Sequence, residues 1–285
     1  MQQGMPSLTA LGAASHRAAH QKLEHGFIFR DPLAERILGV HAEEALRKAE
    51  ESPSRRGLRL FIAVRTRFAE DALQSAISGG ASQLVVLGAG LDTYAYRSAH
   101  GDSLRIFEVD HPATQAWKKE QLASTGISIP QSLTFAPVDF ERETIADGLR
   151  AAGFDETRRT FFMWLGVVPY LTEAAIFATL GYIASLPGGS HVVFDYGNPP
   201  DTSGAPDPYS AAREELARRV AAIGEALKTQ FETGALHERL RDLGFRQIED
   251  LGPGRIRERY FPGHAGPVQE RGGHVIWAAT TAPRP

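Results

Sequence analysis

From Leu84 to Asp92 the chain reads Leu-Val-Val-Leu-Gly-Ala-Gly-Leu-Asp, an unbroken apolar run that stops on two glycines. A short apolar run bounded by turn residues predicts a strand buried on both faces, as in a parallel sheet covered by helices. Gly88 and Gly90 then turn the chain at the strand's carboxyl end, with Ala89 and Asp92 in the same turn. Glycines there let main chain approach a ligand that a side chain would hold away. A nucleoside cofactor is the expected occupant. The dinucleotide fingerprint needs a third glycine three residues after the second, but position 93 is Thr93. The pyrophosphate cradle is incomplete, which weighs against a nicotinamide dinucleotide.

The rest of the chain fits the same architecture. Before the turn it reads as helices. Asp31-Pro32 predicts a helix start with Leu33, Ile37 and Leu38 as its stripe, and apolar residues at three- and four-residue steps predict a helix from Arg59 to Ile77, ended by Gly79-Gly80. Strands are expected at Gln83 to Leu87, Leu104 to Val109, Leu133 to Val138, Thr160 to Leu165, Ser190 to Asp195, Arg246 to Asp250 and His274 to Thr280, alternating with helical patterns. Gly252-Pro253-Gly254 and the stretch from Phe261 to Gly273 show too little helical pattern for a parallel crossover, so the last two strands are expected to pair antiparallel. The sum is an α/β fold with a seven-stranded, mainly parallel sheet, an antiparallel last strand, helices on both faces and an N-terminal helical extension.

One domain over 1–285 is expected: an N-terminal helical cap (1–80), a cofactor-binding core (81–197), an insertion (198–235) and the C-terminal strands (236–285). The insertion opens on Asn198-Pro199-Pro200, runs to Pro208 and continues as a helix from Ser210 to Leu227. It reads as either a lid or a solvated loop.

Composition narrows the function. A formal charge of −3 with no lysine and arginine block lacks the electrostatic pull of a nucleic-acid binder. With no cysteine, disulfides, thiolate metal sites and cysteine nucleophiles are all excluded, which fits a reducing compartment. No apolar run approaches the roughly 20 residues a membrane-spanning helix needs, and Met1 to Gln21 lacks the apolar core of a signal peptide. A cytoplasmic protein without membrane or nucleic-acid partners is expected.

Three acids follow the turn. The next strand, Leu-Arg-Ile-Phe-Glu-Val-Asp, ends in Asp110, about twenty residues on, where a carboxylate can accept ribose hydroxyls. Glu108 shares its strand face by the period of two and competes for that role. Asp139, after the third strand, can accept from an adenine amino group, and Phe140 can offer its amide and ring to the same base.

Arg65-Thr66-Arg67-Phe68, Val86 to Thr93, Phe107-Glu108-Val109-Asp110-His111-Pro112, Val138-Asp139-Phe140 and Trp164 to Leu171 (Trp-Leu-Gly-Val-Val-Pro-Tyr-Leu) together resemble the leucine carboxyl methyltransferase family. The resemblance runs from the first helices to the final strand. It implies a Rossmann-like class I methyltransferase fold and S-adenosyl-L-methionine as cofactor, with S-adenosyl-L-homocysteine as product. It also implies that Arg65 holds the methionyl carboxylate, with Arg67 as its neighbouring alternative, that Gly88 and Gly90 form the cofactor turn, that Asp110 takes the ribose, and that Asp139 with Phe140 takes the adenine. One position departs: where several relatives carry glutamate before the fourth strand's glycine, this chain has Leu165.

Methyl transfer from a sulfonium needs alignment and exclusion of water, and no metal. A carboxylate acceptor is already ionised at neutral pH and needs no general base, whereas a phenol or alcohol gains from one. The resemblance favours O-methylation of a small-molecule carboxylate over a protein C-terminus. Tyr170, Asp195 and Tyr196 are the acceptor-site candidates, with His111 as a candidate base. Two rivals are a non-catalytic cofactor-binding regulator, which would keep Gly88, Gly90 and Asp110, and a nicotinamide oxidoreductase, which would need the third glycine.

Overall fold

The computed structural model describes residues 7–139, 143–200, 208–222, 224–263 and 271–280, with backbone only over 208–213. Three helices come first: α1 (Leu8–Leu23), α2 (Ala42–Glu50) and α3 (Arg56–Ser78). The sheet then alternates with helices as β1 (Gln83–Leu87), α4 (Tyr94–Arg97), β2 (Arg105–Asp110), α5 (Pro112–Ser124), β3 (Leu133–Pro137), α6 (Ile145–Ala151), β4 (Thr160–Trp164), α7 (Glu173–Ser185) and β5 (Ser190–Gly197). The chain continues through α8 (Pro208–Ala222), α9 (Thr233–Asp242), β6 (Gln247–Leu251), α10 (Pro253–Tyr260) and β7 (Gly273–Ala279). Each strand lies within two residues of its predicted bounds.

The strand order is β3-β2-β1-β4-β5-β7-β6. β1 pairs parallel with β2 and with β4, and only β7 runs against its neighbours, antiparallel to both β5 and β6. Strand order reverses beside β1, and in an open α/β sheet a ligand crevice forms at the carboxyl ends of the strands at such a switch point.

The unbroken apolar strands are explained by helices on both faces. On one face Val85, Phe107, Phe162, Trp164 and Phe194 pack against Ile176 and Leu180 of α7 and Leu236 of α9. On the other, Leu84, Ile106, Phe161 and Val193 pack against Val64, Phe68 and Leu73 of α3. All five residues of β1 are buried. A third cluster joins Ala14 and Ala18 of α1 to Ile37, Leu38 and Leu91, which lays α1 across the carboxyl edge of the sheet. Among the described residues no helix is long and apolar enough to cross a membrane.

Two local predictions are corrected. Asp31-Pro32 does not open an α-helix: turns follow, then a 3₁₀ segment over Arg36–His41 in which Gly39 takes a φ of 54°. Asp31 Oδ1 does accept from the Leu33 amide as a cap would, but Oδ2 accepts from Thr93 Oγ1, and Arg17 and Arg97 approach within 4 Å. Tertiary partners have captured the capping carboxylate. The segment after Gly252 does form a helix, α10, with Pro253 in its first turn and Ile256 buried against the α3 face of the sheet.

Candidate functional site

A cavity of about 540 Å³ lies at the carboxyl edge of the sheet, walled by the ends of β1 and β4 and by α1 and α3. β1 enters it through Gly88, whose φ is +64°; a Cβ there would meet Val167 Cγ2 at 2.4 Å. The turn is therefore closed to any other residue by conformation and by packing. Ala89, Gly90 and Asp92 line the cavity with it. Asp92 Oδ1 accepts from the Tyr94 amide and starts α4. Arg17 Nη2 of α1 donates to Leu91 O at 2.5 Å and pins the helical cap to the turn.

One end of the cavity is acidic. Asp110 Oδ2 accepts from the Gly90 amide at 2.6 Å and Oδ1 from the His111 amide at 2.7 Å. A carboxylate has about four acceptor sites, so two amides leave capacity for a ligand's hydroxyls. Burial pushes the Asp110 carboxyl up, and the two amide bonds pull it back. Asp139 lines the same end, its amide donating to Glu143 Oε2. Phe140 lies outside the described residues. His111 also faces the cavity, and its Nδ1 accepts from the Ala113 amide, capping α5.

The other end is cationic. Arg65 reaches in from α3, with Nη1 donating to Asp195 Oδ2 at 2.8 Å. Asp195 Oδ1 accepts from the Gly166 amide at 2.5 Å, so one carboxylate ties α3, β4 and β5 together. Gly166 has a φ of +74°, and a Cβ on it would lie 2.6 Å from Arg65 Nη2, so the guanidinium rests directly on that backbone. The fork has five donors, and the hydrogen bond to Asp195 occupies one of them. Tyr170 lines the wall beyond, its phenol raised above its usual value by burial, with Arg65 opposing and Asp195 and Glu225 adding to the rise. It therefore stays a protonated donor at neutral pH.

Four predicted residues lie elsewhere. Arg67 is on the outer side of α3, about half exposed and paired with Asp71. Glu108 is buried on α5's side of β2, with Lys118 Nζ at 2.7 Å and the Tyr96 hydroxyl at 3.3 Å. Burial raises its carboxyl and Lys118 draws it down. Tyr196 points to the opposite face of β5 from Asp195, as adjacent strand residues must, and its hydroxyl donates to Asp250 Oδ2 at 2.5 Å beside His274. Asp195 itself stands behind Arg65 and does not line the cavity.

The cavity also has walls that the sequence did not mark. Ser7, which caps α1, and Thr9, Ala10 and Ala13 of α1 line it, as do Glu225 and Lys228 after α8. The Glu225 carboxylate accepts from the Leu8 and Thr9 amides at 3.2 and 3.3 Å, an anion at a helix N-terminus where free amides and the helix dipole favour it. The segment after β5 is thus latched to the cap across the cavity.

The family model for leucine carboxyl methyltransferase matches residues 10–184. YktD of Bacillus subtilis (strain 168), named as a candidate S-adenosyl-L-methionine-dependent methyltransferase, is 31% identical over 288 residues, covering 92% of this chain and 93% of its own. A Streptomyces coelicolor protein named in the same terms is 36% identical over 174 residues, 59% of this chain and 60% of its own. Among solved structures, a DUF574 family protein from Streptomyces avermitilis superposes with a TM-score of 0.54 at 17% identity over 94% of this chain and 97% of its own. A candidate methyltransferase from Thermobifida fusca superposes at 0.53 and 19% identity, over 99% and 97%. At those identities the two structures show a shared fold.

Proposed function

The chain belongs to the leucine carboxyl methyltransferase family, and from that premise we propose that it methylates a carboxylate oxygen of a small molecule. Family and relatives make it an S-adenosyl-L-methionine-dependent methyltransferase. The carboxylate acceptor and the role of each residue are our reading.

The observation that carries this reading is the polarity of the cavity: open guanidinium donors of Arg65 at one end, acidic acceptors at the other, joined by the backbone of Gly88 to Gly90. A cofactor with a carboxylate at one end and hydroxyls and an amine at the other fits that order, and about 540 Å³ falls in the usual range for small-molecule pockets. Arg65 would hold the methionyl carboxylate by its fork, Asp110 the ribose hydroxyls, and Asp139 the adenine amine. When bound, S-adenosyl-L-methionine supplies an electrophilic methyl group on a sulfonium.

The chain's own task is then to place an oxygen and exclude water. Tyr170, held protonated in the wall beside Arg65, is suited to orient one oxygen of the acceptor by donating to it. A carboxylate acceptor is ionised at neutral pH and asks for no general base. The latch from Glu225 to α1 supports a lid role for the segment after β5, because both sides of that contact line the cavity.

Incubation with methyl-labelled S-adenosyl-L-methionine and parallel sets of carboxylic acids, phenols and alcohols tests the proposal. The expected product carries alkali-labile label, released as volatile methanol from a methyl ester. Alkali-stable label, or transfer to phenols alone, would overturn it.

A further inference from the structure

The cofactor reading accounts for the cavity from Asp139 and Asp110 to Arg65 and leaves part of the wall unassigned. That part is built from the 3₁₀ turn Val168–Tyr170, the start of α7 and the segment after α8, and it includes Tyr170, Leu171, Thr172, Ala175, Ala226 and Lys228. Thr172 Oγ1 accepts from the Ala175 amide and caps α7. The N-terminal turn of that helix therefore lies in the wall, and the positive end of its dipole favours an anion there.

Among the described residues, three lysine or arginine side chains line the cavity: Arg17, Arg65 and Lys228. Two of them have anions of their own, with Asp195 2.8 Å from Arg65 and Asp31 3.7 Å from Arg17. Lys228 forms no ion pair among the described residues, and Glu225, three residues before it, is turned to the α1 amides of Leu8 and Thr9. The place of Lys228 along the chain is nonetheless fixed. Its amide donates to Pro169 O at 2.7 Å, the Thr229 amide donates to the same oxygen at 3.3 Å, and Thr229 Oγ1 donates to Leu171 O. These bonds lay the backbone of 228–229 along the turn that carries Tyr170. A phenol donor and an ammonium thus enter the unassigned wall from two adjoining segments.

We propose that Lys228 is the counter-ion of the acceptor's carboxylate, and so the residue that selects an acid over a neutral acceptor. The proposal rests on the carboxylate reading above. A carboxylate seated in this wall takes a hydrogen bond from Tyr170 and a charge-assisted one from the ammonium, with Leu171, Ala175 and Ala226 against its apolar body. The Glu225 carboxylate in the same wall disfavours a second negative charge. The acceptor class is therefore a small monocarboxylic acid. Methylation turns that anion into a neutral ester, the carboxylate charge cancelling the sulfonium charge with no proton left to place. Lys228 thus holds the acid more strongly than the ester it becomes. Because the carboxylate's charge declines on the way to the transition state, the ammonium acts on binding of the acid and release of the ester more than on the chemical step.

The test is titration calorimetry at low salt, with and without saturating S-adenosyl-L-homocysteine, using butyrate, hexanoate and benzoate as probes and their primary amides as neutral counterparts. At least one acid is expected to bind about tenfold more tightly than its amide, the value of one charge-assisted hydrogen bond. That preference is expected to fade as salt rises. Lys228→Met is expected to abolish the preference and Lys228→Arg to keep most of it. Amide and S-adenosyl-L-homocysteine affinities should stay unchanged in both variants, since the clamp on Pro169 is made by main chain and survives either substitution. Acids that fail to bind, that bind no better than their amides, or that keep their preference in Lys228→Met would overturn the proposal. Glutarate is expected to bind no more tightly than butyrate, and tighter binding would overturn the monocarboxylate class. Failure of S-adenosyl-L-homocysteine to bind strikes the methyltransferase reading instead, and alkali-stable label in the transfer assay strikes the carboxylate acceptor. Methyl ester formation with an acid preference untouched by Lys228→Met strikes Lys228 alone.

Discussion

Arg65 Nη1 donates to Asp195 Oδ2 at 2.8 Å, and the other oxygen of that carboxylate accepts from the Gly166 amide. Arg65 thus enters the cavity already oriented, with its position fixed from three elements of the fold. An aligned guanidinium loses less entropy on meeting a carboxylate than a free one.

Arg65→Ala is expected to weaken binding of S-adenosyl-L-homocysteine by about 1.5–3 kcal/mol, the value of a charge-assisted hydrogen-bonded contact. Arg67→Ala is expected to leave it unchanged, since Arg67 pairs with Asp71 on the outer face. Calorimetry on both variants separates the neighbours: equal losses, or a loss confined to Arg67, would reverse the assignment.

Asp195→Asn keeps the size of the side chain but removes its charge. Cofactor affinity is expected to fall several-fold while urea stability drops by about 1–3 kcal/mol, as for a weakened buried hydrogen bond. Absence of any further loss of affinity from Asp195→Asn in an Arg65→Ala background, read as non-additivity in the double-mutant cycle, would show that Asp195 acts through Arg65.

Glu108 and Lys118, each 1% exposed, form a buried ion pair 2.7 Å apart beneath β2. Lys118→Met strands a carboxylate and is expected to cost about 3–5 kcal/mol in urea unfolding. Glu108→Leu/Lys118→Met together should recover much of it, with cofactor affinity unchanged throughout. A large loss of affinity in a folded double variant would give Glu108 a place in cofactor binding after all.

Asp250 sits where Tyr196, His237 and His274 converge. Burial works to raise its carboxyl, but the bonds from His274, Tyr196 and His237 outweigh that and hold it below the usual carboxylate range. A carboxyl depressed in the folded state binds fewer protons there than in the unfolded chain. Its contribution is therefore full above the unfolded value near 3.9 and is lost as pH falls through the folded one. Urea titrations below about pH 4 should show a shallower loss of stability in Asp250→Asn than in the parent protein.

The sheet is legible in the sequence because strands buried on both faces are mainly apolar, as Leu84 to Leu87 and Phe161 to Trp164 are, and glycine and polar residues bound those short runs. The places of the glycine turn and of Asp110 are legible for the same reason, since they sit at strand ends whose positions follow from those runs. Adjacent Asp195 and Tyr196 had to diverge by the alternation of a strand, and only one of them meets Arg65. The α1 wall is hidden because small residues such as Ala10 and Ala13 show no chemistry until tertiary packing lays the helix across the sheet edge. Glu225 gains its place from the free amides of a helix more than two hundred residues away. Asp31 shows the converse: its capping signal is genuine locally, but Thr93 and two arginines take the carboxylate.

The central claim is that one cavity, with Asp110 at one end and Arg65 at the other, binds a nucleoside whose amino-acid tail carries the carboxylate. The most direct measurement is calorimetric titration of S-adenosyl-L-homocysteine into the parent protein and into Asp110→Ala. Saturable binding at one site per chain, weakened at least tenfold by the substitution, is the expected result; no binding to the parent, or equal affinity in both, would contradict it.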